Sequence, residues 1–195
     1  MRTGLPVGAR NILDFWFDSA HAAYWFAADD PFDQQIRRRF GAEAKAAALG
    51  QRDDWADKAE NWLALLILLD QFPRNPYRDD ARAWKSDVKA QRVVLSGLDD
   101  GFDQFLPPLQ RVFAYLPLEH AEDMGLQHRS VALFEALHAQ VGTDERERFG
   151  EFLDYARRHR EVIARFGRFP HRHAVLGRTN TPDEAHYLAQ PGTGF

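Results

Sequence analysis

Three sets of polar side chains in this sequence have the types and spacing that chemistry requires. The first is a basic segment whose members are Arg165, Arg168, His171, Arg172 and Arg178. Gly167 favours the end of a helix and Pro170 favours an extended turn, so we expect a constrained loop that presents cationic groups. Arginine suits carboxylates and phosphates, which predicts a site for a small anion. The alternative is structural: the arginines bind helix carbonyls and buried acids.

The second set lies at the end of the most apolar helix that the sequence predicts. Asp70 follows eight apolar residues, 62–69, so we expect it to be at least partly buried and to need a partner. Arg74 lies four residues later, on the same helical face. With Asn75, this pair predicts either a ligand clamp or general base in a groove, or a structural ion pair that fixes the turn at Pro73.

The third set is Glu119, His120 and Asp123. On one helix, Glu119 and Asp123 share a face, and so do His120 and Asp123. Two carboxylates and an imidazole can bind a divalent metal or perform acid–base catalysis. A second histidine four residues from the first is absent, which favours the alternative that the acids stabilise a helix N-terminus. We therefore expect no bound metal and no cofactor.

Helices must position all three sets, because helical periodicity recurs along the chain and strand signals are nearly absent. The patterns predict helices over 57–72, 118–141 and 144–166. Thr181 and Glu184 form a capping-box pattern that begins a last short helix. Short turns between helices favour antiparallel pairs. No low-complexity linker divides the sequence, so we predict a single all-α domain over residues 1–195.

Composition excludes several classes of protein. The absence of cysteine rules out disulfides, thiolate catalysis, cysteine-bound zinc and iron–sulfur clusters. A net charge of −4 argues against nucleic-acid binding. The longest apolar run, 62–69, is far shorter than the roughly 20 residues of a membrane-spanning helix. The N-terminus also lacks the apolar region of a signal peptide, so we expect a cytoplasmic protein that does not bind membranes.

Four segments, in order along the chain, carry a resemblance to a known family. They are Ile12-Leu13-Asp14-Phe15-Trp16-Phe17, Leu69-Asp70-Gln71-Phe72-Pro73-Arg74-Asn75, Tyr115-Leu116-Pro117-Leu118-Glu119-His120-Ala121-Glu122-Asp123 and Arg165-Phe166-Gly167-Arg168-Phe169-Pro170-His171-Arg172. From about residue 12 to 188, the chain resembles the bacterial domain of unknown function 924 family. That family is similar in fold to tetratricopeptide-like proteins, which implies antiparallel helix pairs in a right-handed superhelix. It has no established activity to carry over.

Together these features favour a binding module with an Arg/His-lined polar groove for a small anionic ligand or an acidic peptide. One alternative is a hydrolase or transferase that pairs His171 or His120 with a carboxylate. A second is a structural or assembly protein whose ion pairs satisfy one another. The sequence does not decide whether the protein is an enzyme, and a protein partner or a homodimer is compatible with it.

Overall fold

A computed structural model describes residues 6–193 of the chain, and within this range the fold is all-α. It contains ten α-helices and no strand, as the sequence predicts. The helices are α1 (Val7–Trp16), α2 (Asp30–Ala48), α3 (Ala59–Leu66), α4 (Phe72–Arg74), α5 (Asp87–Asp99), α6 (Pro108–Glu119), α7 (Met124–Gln140), α8 (Arg146–Phe166), α9 (His173–Leu176) and α10 (Pro182–Leu188). The tetratricopeptide-like superhelix stays a prediction.

The described residues divide into two compact units. Unit 1 comprises residues 6–78 and 82–117, and unit 2 comprises residues 79–81 and 118–193. The division leaves the single domain over residues 1–195 a prediction. None of the helices within the described residues is both long enough and apolar enough to cross a membrane.

The most apolar helix forms the centre of unit 1. α3 continues through a π-helical segment, Ile67–Gln71, into α4. Every side chain from residue 61 to residue 72 is buried, which fits a sequence that is apolar on nearly all sides. Pro73 does not end the helix as expected, because helical geometry continues to Arg74. The π-helical segment just before Pro73 already departs from the i→i−4 hydrogen-bond pattern that a proline interrupts, and the amide of Phe72 donates to the carbonyl of Ile67.

An aromatic core packs against this helix. The ring of Trp16 lies 5.5 Å from that of Phe72 and 5.6 Å from that of Phe113, both in edge-to-face geometry. All three side chains are almost completely buried. Edge-to-face pairs add to the free energy gained by burying such large rings, so this cluster stabilises unit 1 without a disulfide.

In unit 2, α7 and α8 form an antiparallel hairpin. Arg157 of α8 binds Glu135 of α7 at 2.8 Å, and Gly150 lies beside His138. These contacts pair later residues of α8 with earlier residues of α7, which is the pattern of two antiparallel helices. Gly167 ends α8 in the left-handed conformation, with φ of 69°.

The predicted helix over 118–141 is wrong at its beginning. α6 ends at Glu119, and a separate helix, α7, begins at Met124. Asp123 has extended backbone geometry, and its Oδ1 accepts a hydrogen bond of 2.9 Å from the amide of Leu126. A side chain that caps a helix in this way stands outside it, so Glu119 and Asp123 do not share a helical face.

One close approach in unit 1 gives a test of this packing. A Cβ atom added at Gly97 in α5 would overlap the indole ring of Trp62, whereas one at Gly41 in α2 has nothing within 4 Å. We expect Gly97→Ala to lower the free energy of unfolding by about 1–3 kcal/mol, as overpacked cores do. The matched control Gly41→Ala should raise it by up to about 1 kcal/mol through helix propensity. Urea denaturation of both variants measures these changes, and an unchanged midpoint for Gly97→Ala would contradict the packing.

Candidate functional site

Two arginines of the basic segment bind acids of α10. Arg165 Nη2 donates to Asp183 Oδ1 at 2.6 Å. Arg168 donates to both carboxylate oxygens of Glu184, at 2.7 and 2.8 Å. Glu184 also completes the predicted capping box with Thr181. Hydrogen bonding to Arg168 and to Thr181 outweighs burial and lowers the pKa of Glu184 to about 2. Both arginines therefore contribute to the structure of the segment.

A third arginine is paired in the same way. Arg178 Nη1 donates to both oxygens of Glu122, at 2.7 and 2.8 Å, and the amide of Phe169 donates to Glu122 Oε1 at 2.9 Å. Burial acts to raise the pKa of Glu122, but the hydrogen bonds from Arg178 and Phe169 outweigh it and lower that pKa. Glu122 thus joins the basic segment to the turn between α6 and α7.

A shallow groove of about 260 Å³ lies beside α8. Its lining includes Arg158, Arg165, Phe166 and Tyr187. Arg158 pairs with Asp154 at 2.8 Å, so both arginines of the lining have acidic partners. None of the predicted histidines lines this groove, which differs from the Arg/His-lined groove expected from the sequence.

The second predicted set forms a buried ion-pair network in unit 1. Arg74 Nη1 lies 3.1 Å from Asp70 Oδ1, as the spacing of four predicts. Its Nη2 donates to both oxygens of Asp87 at 3.0 Å. Asn75 Nδ2 donates to Asp33 Oδ1 at 3.0 Å. These contacts match the structural alternative, in which the pair holds the end of the helix.

Three titratable side chains of unit 2 converge in what we call the histidine–carboxylate centre: Glu119, His120 and His159. Glu119 is the last residue of α6, His120 follows it, and His159 lies in the middle of α8. Glu119 and His159 are only 3% and 4% exposed, and His120 is half-buried. One possible metal-ligand atom of each residue lies within 4.8 Å of the others. Glu119 Oε1 is 3.2 Å from His159 Nδ1.

Hydrogen bonds hold the backbone of this centre in place. Gln127 Nε2 donates to the carbonyls of Glu119 and Ala121, at 2.6 and 2.8 Å. Arg172 Nη2 donates to the carbonyl of His120 at 3.1 Å. The turn that carries Glu119 and His120 is therefore fixed by α7 on one side and by the basic segment on the other.

The environment of His159 determines which ring nitrogen carries its proton. Its Nδ1 lies 2.9 Å from the carbonyl of Tyr155 and 3.2 Å from a Glu119 carboxylate oxygen. A carbonyl only accepts hydrogen bonds, so we assign the proton to Nδ1 and the lone pair to Nε2.

Two imidazoles of unit 2 are held in the neutral form. Burial first, and then the charge of His120, lowers the pKa of His159 well below its ordinary value. Burial, Arg172 and His120 lower the pKa of His171 to about 4. Perturbed pKa values of this kind cluster at functional sites, although buried structural groups show them as well.

The predicted site residues thus fall into distinct groups. Asp70, Arg74 and Asn75 lie in unit 1, where they form an internal network, and the others lie in unit 2. Asp123 is a helix cap, and Arg165, Arg168 and Arg178 bind acids. Glu119 and His120 do converge, but with a partner that sequence reasoning missed. The missed residue is His159.

A signal for His159 was present in the sequence. Leu153, Ala156 and Ile163 form a buried stripe on α8, and His159 lies between Ala156 and Ile163 on that stripe. An imidazole on an apolar helix face needs a polar partner inside the fold. Glu119, which supplies that partner, is 40 positions earlier in the sequence, and helical periodicity does not connect the two.

Comparison with known proteins decides the family. Residues 12–192 match the family described as bacterial protein of unknown function (DUF924). The chain belongs to this family. A solved structure of a protein of unknown function, ATU0120 from Agrobacterium tumefaciens, is similar to it, with 40% sequence identity and a TM-score of 0.83. That similarity covers 93% of this chain and 96% of the other. No curated protein matches the chain.

The pairing of Arg168 with Glu184 in this DUF924 member gives a pH-dependent test. Because the pKa of Glu184 is lowered to about 2, the stability that its charge contributes is complete above the ordinary value of 4.5 and is lost as the pH falls toward 2. Glu184→Gln removes the charge but keeps a side chain that serves in a capping box. We expect the variant to be less stable than the wild type at pH 6, with a smaller difference at pH 3.

Urea denaturation at the two pH values measures this difference. Glu151→Gln, at an exposed position of α8, is the matched control and should change stability little at either pH. An equal loss in Glu184→Gln at pH 6 and at pH 3 would show that the carboxylate charge is not what stabilises the segment.

Proposed function

We propose that the protein binds a small anionic ligand, a phosphate or a carboxylate, beside the histidine–carboxylate centre of unit 2. The position of Arg172 carries this proposal. Arg172 as a whole is only 5% exposed, and its guanidinium lies 4.4 Å from the ring centre of Phe169 and donates to the carbonyl of His120. The charge of Arg172 acts on both His159 and His171.

Of the predicted basic segment, this proposal assigns Arg172 and His171 to the anion and leaves out the other three arginines. Arg165, Arg168 and Arg178 bind Asp183, Glu184 and Glu122, so their charges already serve internal pairs. Arg172 also acts on the charge of Glu122, and it lies beside His171, whose neutral ring offers one N–H donor in addition to those of the guanidinium. In surroundings from which water is largely excluded, charge-assisted hydrogen bonds to an anion are stronger than at the surface.

A second candidate function is supported by one contact. Glu119 Oε1 lies 3.2 Å from His159 Nδ1, and this carboxylate–imidazole arrangement leaves the lone pair on Nε2. A carboxylate that orients an imidazole in this way is the arrangement of a general base in hydrolases and transferases. In this alternative, the bound anion is a substrate and His159 accepts its proton or that of a water molecule.

Anion binding is tested by thermal denaturation and calorimetric titration with inorganic phosphate, a dicarboxylate and an acidic peptide. All titrations contain EDTA, so that metal ions take no part. A ligand that binds the folded protein raises its melting temperature by mass action. We expect Arg172→Lys to weaken binding about tenfold or more, because lysine lacks the planar fork that binds an anion through two hydrogen bonds.

Two further variants make the result specific. His171→Asn changes a half-buried imidazole of the same region and should also weaken binding. Arg146→Lys, at an exposed position at the start of α8, should leave it unchanged. The proposal fails if none of the three probes binds the wild type, or if Arg172→Lys and His171→Asn, both folded, bind with wild-type affinity.

A further inference from the structure

The donor atoms of the histidine–carboxylate centre have a composition that suits a transition metal. Two imidazoles and one carboxylate are ligands that Zn²⁺ accepts at catalytic sites, whereas Mg²⁺ and Ca²⁺ prefer oxygen ligands alone. We propose that Glu119, His120 and His159 bind a divalent transition metal ion of the Zn²⁺ type. This inference goes beyond anion binding and does not depend on it.

The distances support a common ion. Zn²⁺ binds nitrogen and oxygen donors at about 2.0–2.2 Å, so two donors on one tetrahedral ion lie about 3.3 Å apart. One donor atom from each of the three side chains lies within 4.8 Å of the other two. Each side chain therefore offers a donor atom close enough to the other two for small side-chain adjustments to bring all three to a single ion.

The surroundings position the donors as the partners of metal ligands do. Histidines that bind metals usually donate their other ring N–H to a carbonyl or a carboxylate, which fixes the ring and its tautomer. His159 Nδ1 has such an acceptor in the Tyr155 carbonyl at 2.9 Å, which leaves Nε2 for the ion. On metal binding, Glu119 exchanges its contact with Nδ1, at 3.2 Å, for the ion. The side chain of Gln127 and that of Arg172 hold the backbone of Glu119 and His120.

The centre contains one more titratable side chain than a simple carboxylate–imidazole pair. A buried carboxylate needs a partner, and the contact between Glu119 and His159 provides one. His120 adds a second imidazole beside this pair, with its ring centre 6.0 Å from that of His159 and its side chain half-buried. A third donor at the edge of two buried ones is the arrangement that lets an ion enter from solvent.

The proposal departs from the expectation, drawn from the sequence, that no metal binds. That expectation depended on the absence of a second histidine one helical turn from His120. In the folded chain, His159 of α8 supplies the second imidazole. Three protein ligands also leave a fourth position of the ion open, and a water molecule or an anion completes such a site.

The test is calorimetric titration of the full chain, freed of EDTA and of any histidine tag, with Zn²⁺ alone in a buffer without phosphate. We expect one ion per chain. Co²⁺ serves as a second probe, because its visible absorption reports the number and type of ligands. Glu119→Gln, His120→Asn and His159→Asn should each weaken binding about a hundredfold or more, above the 10–100-fold effect of changing a supporting residue.

Matched controls and folding controls accompany these variants. His128→Asn in α7 and His186→Asn in α10 change exposed histidines and should leave the affinity unchanged. Circular dichroism shows which variants are folded. His120→Asn is informative even if the two buried substitutions unfold the chain, because His120 is half-buried.

Metal binding and anion binding are tested separately. Absence of saturable binding of one ion per chain overturns the metal site, and so does wild-type affinity in folded His120→Asn. Loss of binding in His128→Asn or His186→Asn would place the ion elsewhere and would also overturn the site. The anion titrations contain EDTA, so their outcome does not depend on the result for Zn²⁺.

Discussion

The contact between Glu119 and His159 is the constraint on which the arrangement of unit 2 depends. A carboxylate that is 3% exposed is costly unless hydrogen bonds and charges compensate it, so the end of α6 must stay beside the middle of α8. Gln127 of α7 and Arg172 of the basic segment hold the same turn through its carbonyls. The turn after α6 is therefore held by α7, by α8 and by the basic segment, and the histidine–carboxylate centre lies where they meet.

Acidic partners pair with three of the arginines in the basic segment. Arg165 and Arg168 attach it to α10, and Arg178 attaches it to Glu122 in the turn after α6. In this arrangement a cluster of arginines on an acidic chain is mainly a means of fixing a loop. What the loop brings to the centre is Arg172 and His171, and these two residues lie next to each other at its middle.

The sequence predicted best the contacts that lie within one helical turn. Arg74 binds Asp70 because residues four apart share a helix face, and Thr181 caps α10 by accepting a hydrogen bond from the amide of Glu184. The bond from Arg74 to Asp87 spans 13 residues, and periodicity alone does not specify such a partner. The all-α class followed from the same local signals, whereas the π-helical segment within the buried helix left no signal that we recognised.

Asp123 and His159 show why the candidate site was only partly predicted. Asp123 was placed inside a helix with Glu119, but its side chain caps α7 and so separates the two residues. His159 lies in the middle of α8, whereas Glu119 and His120 come from the end of α6 and from the turn after it. A site assembled from distant segments can be recognised only when the tertiary fold is known. Here the fold removes Asp123 from the predicted set and adds His159.

The protonation state of His159 is central to the arrangement of unit 2, and long-range ¹H–¹⁵N correlation spectra of the histidine rings measure that state. We expect a neutral His159 ring at pH 7, with its proton on Nδ1 and an unprotonated Nε2, because Tyr155 and Glu119 both accept from Nδ1. His159→Asn assigns the signal, and exposed His128 provides the reference for a solvated ring. A proton on Nε2, or a charged ring at pH 7, would contradict the arrangement on which the centre depends.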